Sequence, residues 1–208
     1  MTSPDDHSGV ELRPSDVVAA GFRNDTAQIE RGRQSADPAI RHAALGALLR
    51  TGALSADQLA GFARDRSASV RRRAAEVAPR ISDAPLTEAL LVTLLDDEPE
   101  IVEVAAFALG EVGSADGAEL APTTIAMIES IARDHDDALC REAAVASLGA
   151  LHTGLPTILG ACRDKATVRR RAIIALAPFE GPEVDQALQT ALADRDWQVR
   201  QAAEDLIG

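Results

Sequence analysis

The chain has 208 residues, 46% of them hydrophobic but only 2% aromatic, and carries a net charge of −12. That charge excludes a general nucleic-acid binder, which needs clustered cations to displace the counterions of phosphate. No apolar run approaches the roughly 18–20 residues of a membrane span, and Asp5 and Asp6 stand where a signal peptide needs bases, so a cytoplasmic protein without membrane contact is expected.

Residues 1–14 are polar and read as a disordered N-terminal tail, leaving 15–208 as a single domain. A motif then recurs six times, beginning at Ile40, Val70, Ile101, Cys140, Val168 and Val199. It runs apolar residue, usually Arg, two variable positions, Ala, a small or apolar residue, two further positions, an apolar residue, then often Gly. IVEVAAFALG from Ile101 and CREAAVASLG from Cys140 show it most clearly. The spacings of 30, 31, 39, 28 and 31 residues are those of a stacked repeat array. Within a copy the apolar residues form one helical stripe: Ile40, Ala43, Ala44, Ala47 and Leu48 in the first, Ile101, Val104, Ala105, Ala108 and Leu109 in the third. Ahead of the later copies lie further helical stretches, Ser55–Arg64, Leu86–Leu95, Pro122–Arg133, Leu155–Arg163 and Glu183–Ala193. Ser55 with Gln58 spells a capping box, and Pro85 and Pro122 suit first turns. Each repeat is therefore read as helix A, a turn carrying Asp, Pro or Gly, and helix B. The wide spacing between the third and fourth copies marks an insertion, expected as an enlarged loop around Ser114–Pro122.

Two-helix units of about 30 residues with Asp in the turn and Val-Arg-x-x-Ala-Ala-x-x-Leu-Gly after it resemble HEAT repeats. The short variety of phycobilisome-lyase-like proteins is the most similar, and the resemblance covers Asp37 to Gly208. It implies an all-α fold, a right-handed α-solenoid of about six HEAT-like helix pairs, with the B helices lining the concave side. It does not imply one activity, because HEAT arrays include scaffolds, adaptors, chromophore lyases and a few enzymes.

Five copies carry Arg after the first apolar residue: Arg41, Arg71, Arg141, Arg169 and Arg200. A cation at the start of a helix opposes the helix dipole and calls for an acidic partner. Asp37, Asp65, Asp136, Asp164 and Asp196 stand a few residues earlier. In the resembled family such residues form a structural ladder between neighbouring turns. Val102 occupies the Arg position of the third unit, so the ladder should break there. Five places after the first apolar residue stand Leu45, Ala75, Ala106, Val145 and Ile173, but Glu204 in the last copy, followed by Asp205. A polar outer face of this kind caps a solenoid.

Catalytic motifs are not visible. Deoxyhypusine hydroxylases are similar in fold and bind iron through repeated His-Glu pairs, whereas His7, His42, His135 and His152 are none of them followed by Glu. HExxH, P-loop, GxSxG and Cys/His metal patterns are missing, so neither a metal nor a cofactor is expected. Cys140 and Cys162 sit at apolar positions and are expected as buried, reduced thiols. HEAT-like DNA glycosylases need a basic, aromatic concave surface. The triplets Arg71–Arg73 and Arg169–Arg171 are the only support for that activity, and their first members belong to the ladder.

Charge is distributed unevenly: six basic and two acidic residues over 64–80, two basic and fifteen acidic over 83–142, five basic and one acidic over 163–171. On the B helices, the edge two places after the first apolar residue reads His42, Arg72, Glu103, Glu142, Arg170 and Gln201. The edge six places after it reads Gly46, Glu76, Phe107, Ala146, Ile174 and Asp205. In one register Phe107 and Ile174 are exposed and line an apolar strip; in a register shifted by one they belong to the core. Trp197, just ahead of the last B helix, either covers the end of the core or anchors a partner. The expected function is a non-enzymatic scaffold or adaptor binding a protein or peptide on its concave face. His42, Arg72, Glu103, Phe107, Glu142, Arg170, Ile174 and Trp197 form the candidate surface. The alternative, implied by resemblance to bilin lyases, is an accessory subunit or chaperone of a protein-modifying system. Partner identity and oligomeric state are left open.

Overall fold

The computed structural model describes residues 11–81, 86–115 and 120–208. The expected tail lies outside the described residues as far as residue 10, as do Pro85 and residues 116–119 of the insertion. Among the described residues run thirteen α-helices and no strand: α1 (Pro14–Arg23), α2 (Thr26–Arg33), α3 (Pro38–Arg50), α4 (Ala56–Ala63), α5 (Ala68–Val77), α6 (Leu86–Leu94), α7 (Pro99–Ala115), α8 (Pro122–Asp134), α9 (Ala138–Ala150), α10 (Leu155–Ala161), α11 (Ala166–Ala175), α12 (Pro182–Ala191) and α13 (Trp197–Ile207).

From α2 onward these are six A/B pairs. The even-numbered helices form layer A and α3, α5, α7, α9, α11 and α13 form layer B. α1 is an addition that the repeat did not announce. It packs beside α3 in the B layer and buries Val17 and Ala20, so it closes the first repeat from outside. Pro14 already belongs to it, one residue ahead of the expected domain boundary.

The B helices begin where their caps dictate. Asp37, Asp137 and Asp196 each accept the amide two residues on, at 2.8, 2.7 and 2.9 Å, which satisfies a donor that the first turn leaves free. The core is built from the first apolar residue and the places four, five and eight beyond it. In α7 these are Ile101, Ala105, Ala106 and Leu109, and in α9 Cys140, Ala144, Val145 and Leu148, all essentially inaccessible. The expected stripe is thus shifted slightly, since Val104 is only half-buried and Ala106 is core. The insertion also differs from expectation: Ser114 and Ala115 extend α7, so the loop begins later than Ser114.

The glycine of the motif has a packing reason. A Cβ on Gly110 would stand 2.8 Å from Ser147 Cα, and one on Gly149 2.8 Å from Ala175 Cα. Only glycine lets α7, α9 and α11 approach so closely. All consecutive B helices pack together, while the A helices do so mainly as α4 with α6 and α8 with α10. A stack that is tight on one side and spread on the other curves toward the tight side, so layer B is concave.

An arginine ladder fixes the turns that join the pairs. Arg41 donates Nε and Nη2 to the two oxygens of Asp65, each at 2.7 Å, and Nη1 to the carbonyls of Ser35 and Ala36 in its own turn. Arg71 grips Asp96, Arg141 grips Asp164 and Arg169 grips Asp194 by the same two-pronged arrangement. Each guanidinium therefore closes its own turn and clamps the next one. This corrects the expected acidic set, because the acid lies in the following unit. Asp96 and Asp194 carry rungs, while Asp37 and Asp196 are helix caps and Asp136 accepts from Arg141 through its backbone carbonyl.

The rung is missing at Val102, which is buried. At the matching acceptor position stands His135, whose Nδ1 accepts the Asp137 amide at 3.0 Å. Ser35, which follows α1 and no copy of the motif, accepts the Asp37 amide through Oγ at 3.2 Å. A carboxylate occupies this turn position only where an arginine precedes it, and a neutral acceptor preserves the turn elsewhere. Val102→Arg alone is expected to lose about 3–5 kcal/mol, the cost of an unpaired buried charge. Adding His135→Asp is expected to return about 1–3 kcal/mol of coupling in equilibrium unfolding; simple additivity would refute the compensation.

The rungs also give stability a pH signature. Hydrogen bonds from their arginines hold Asp96, Asp164 and Asp194 below the ordinary 3.8, against the opposing effect of burial. For Asp65 burial is the largest influence and acts upward, but the Arg41 hydrogen bonds, the Ser67 amide and nearby cations bring the net result below 3.8. Depressed carboxylates stabilise the fold in full above 3.8 and lose that contribution as pH falls through their folded values. Denaturant midpoints should therefore hold from neutral pH toward 5 and drop steeply below 4. A midpoint that stays level through pH 3 would exclude the rungs as a major source of stability.

Candidate partner-binding surface

The repeat geometry turns one edge of every B helix to the concave side. His42 is exposed on α3, and Arg72 on α5 pairs with Glu100 at 3.0 Å and Glu76 at 3.3 Å. Glu103 on α7 is half-buried and, among the described residues, pairs with no cation. Glu142 on α9 receives Arg171 Nη2 at 3.4 Å. Arg170 on α11 is exposed and pairs with no carboxylate among the described residues. Phe107 is 50% accessible, Ile174 37% and Trp197 64%, so all three lie outside the core. Glu204 and Asp205 are exposed.

These side chains frame shallow depressions that share walls. Between α7 and α9, Glu103, Val104, Phe107, Leu139, Glu142 and Ala146, together with Arg171 from α11, enclose about 370 Å³. Between α9 and α11, Ala146, Ala150, His152, Arg171, Ile174, Ala177 and Pro178 border about 440 Å³. Between α11 and α13, Arg170, Ile174, Trp197, Gln201, Ala202 and Leu206 border about 470 Å³. Ala146 belongs to the first two and Ile174 to the last two, so one apolar track crosses four helices. His42 and Arg72 stand apart from it, around a charged depression of about 350 Å³ with Glu76, Glu98 and Glu100.

Leu139 was not expected. It is 53% accessible and stands one place before the first apolar residue of its motif. The matching places hold Ala39, Ser69, Glu100, Thr167 and Gln198, so a large aliphatic side chain occurs only here.

A larger depression, about 770 Å³, lies on the A side between α10 and α12, with Leu159, Cys162, Ala187 and Thr190 in its walls. It is the gap that curvature opens between A helices. Burial pushes the Cys162 thiol up to about 11, and Cys140 likewise, which leaves both poor nucleophiles near neutral pH. Among the described residues no three His, Cys, Asp or Glu side chains gather as metal ligands would, and no helix is long and apolar enough to cross a membrane.

Helix pairs stacked in one array over a continuous core define an α-solenoid. The chain belongs to the HEAT-repeat family, whose model matches residues 56–149 and 125–208. No curated protein matches it in sequence. Among solved structures it is similar to YibA of Escherichia coli, with a TM-score of 0.67 at 15% identity, covering 98% of this chain and 75% of that one. The complex of CpcE and CpcF of phycocyanin lyase from Nostoc sp. PCC7120 gives 0.61 at 18% identity, covering 98% and 79%. A designed armadillo repeat protein in complex with the peptide (KR)4 gives 0.54 at 16% identity, covering 95% and 98%.

Proposed function

We propose that the chain is a non-enzymatic, cytoplasmic scaffold or adaptor that binds a protein or peptide partner on the concave B face. The observation that carries this reading is the apolar track: Phe107, Leu139, Ile174 and Trp197 are large, exposed and gathered on one face of an otherwise charged protein. A contiguous apolar patch with charged margins marks an interaction surface. The peptide complex of the similar armadillo design supports the capacity of such an array to take an extended ligand. The test is co-purification from native cells with the wild-type chain and with Phe107→Ala/Ile174→Ala. A partner held by the first and lost by the second supports the reading, and one held equally by both contradicts it.

The likeness to the CpcE–CpcF complex favours a second reading, an accessory subunit or chaperone of a protein-modifying system. Visible absorbance of the isolated complex separates the two, since only the second reading predicts a chromophore travelling with the protein.

A further inference from the structure

The track is not electrically uniform: Glu103 toward one end and Arg170 toward the other form no ion pair among the described residues and have opposite sign. At one end Glu103, half-buried beside Phe107 and Leu139, has no cation among the described residues, although Glu76 and Glu100 are both matched by Arg72. Glu142 adds a second carboxylate to that end, held at 3.4 Å by Arg171, which lines the same depression and whose Nε is buried without a partner among the described residues. At the other end Arg170 lies beside Ile174 and Trp197 and forms no ion pair among the described residues. Its neighbour in the same depression, Asp205, is hydrogen-bonded by Gln201 Nε2 at 2.8 Å. A charge next to apolar surface loses solvation when a ligand covers it, so an occupant must bring the opposite charge.

We propose that the track binds an extended peptide segment with a basic side chain at one end, aliphatic side chains in the middle and an acidic side chain at the other. This rests on the B-face reading and names the chemistry of the partner. The cation seats on Glu103 with help from Glu142. The aliphatic side chains fill the depressions floored by Ala146, and the anion seats on Arg170. The length follows from packing: α7 and α11 are two B-helix spacings apart, about 16–20 Å for helices 8–10 Å apart. Extended chain covers that in about six residues.

The test uses the full chain and three fluorescein-labelled heptapeptides, Lys-Leu-Ala-Leu-Ala-Leu-Glu and its counterparts with Lys, or with Glu, at both ends. The mixed peptide is expected to bind about tenfold more tightly than either uniform one. A dibasic peptide that binds as well would show general attraction to an acidic chain and overturn the proposal. E103Q and R170Q are each expected to weaken the mixed peptide about tenfold, and E183Q, on an exposed A-helix position, to leave it unchanged. Glu103→Lys should shift preference to the diacidic peptide. Binding that depends on Phe107 but not on Glu103 or Arg170 overturns the charge assignment while the B-face reading stands. If Phe107→Ala has no effect, both fall, and no binding of any peptide at about 1 mM also counts against the proposal.

Discussion

Arg169→Ala is expected to lose about 3–5 kcal/mol of folding stability, because it strips the partner from a carboxylate that stays buried. The Arg169 and Asp194 side chains are only 8% and 16% accessible, and the guanidinium bonds both carboxylate oxygens at 2.9 and 2.8 Å. Its Nη1 also closes the preceding turn through the Asp164 carbonyl at 2.8 Å, so one substitution loosens two turns. Arg141→Ala, whose pair with Asp164 is 11% and 20% accessible, should cost less, about 1–3 kcal/mol. Arg200→Ala should cost least of the three, since Arg200 binds the carbonyls of Asp194 and Arg195 and grips no carboxylate among the described residues. Urea unfolding of the three variants checks this order. At temperatures where they remain folded, partner binding should persist. A variant of normal stability that no longer bound would move its arginine from scaffold to site.

Much of this architecture was legible from periodicity, and the residues that escaped share a cause. Five of the six A helices and all six B helices follow from stripes and caps, because a stacked repeat writes the same burial pattern into each copy. α1 has no A partner and no copy of the motif, so repetition did not reveal it. The ladder arginines and two of their acids, Asp65 and Asp164, are legible a few residues ahead of the motif, but the other two acids are not. Asp96 and Asp194 lie across the unit boundary, where only the stacking of turns brings them into reach. Leu139 escaped because its place ahead of the motif carries no repeated residue type, whereas Phe107 and Ile174 share one offset within it. Their exposure rests on a register that sequence left ambiguous, and the structure resolves it: Ala106 and Ile173, one place earlier, take the core positions. The identity of the partner is not written in the repeat, since it depends on complementarity with a second molecule.

The double variant Phe107→Ala/Ile174→Ala carries the other large expectation. Each truncation at a binding hot spot is expected to cost about 1–2 kcal/mol of affinity. The two sites are on α7 and α11 with α9 between them, so the losses should add, weakening the partner roughly thirtyfold or more. Stability should scarcely change, because side chains 50% and 37% accessible leave no sealed cavity behind. The decisive measurement is therefore calorimetric titration of the co-purified partner into the wild-type and double-variant chains, with urea unfolding on the same samples. The account predicts that affinity collapses while the unfolding midpoint stays put. An unchanged affinity, or a stability loss of about 3–5 kcal/mol of the kind that accompanies a truncated core aromatic, would contradict it.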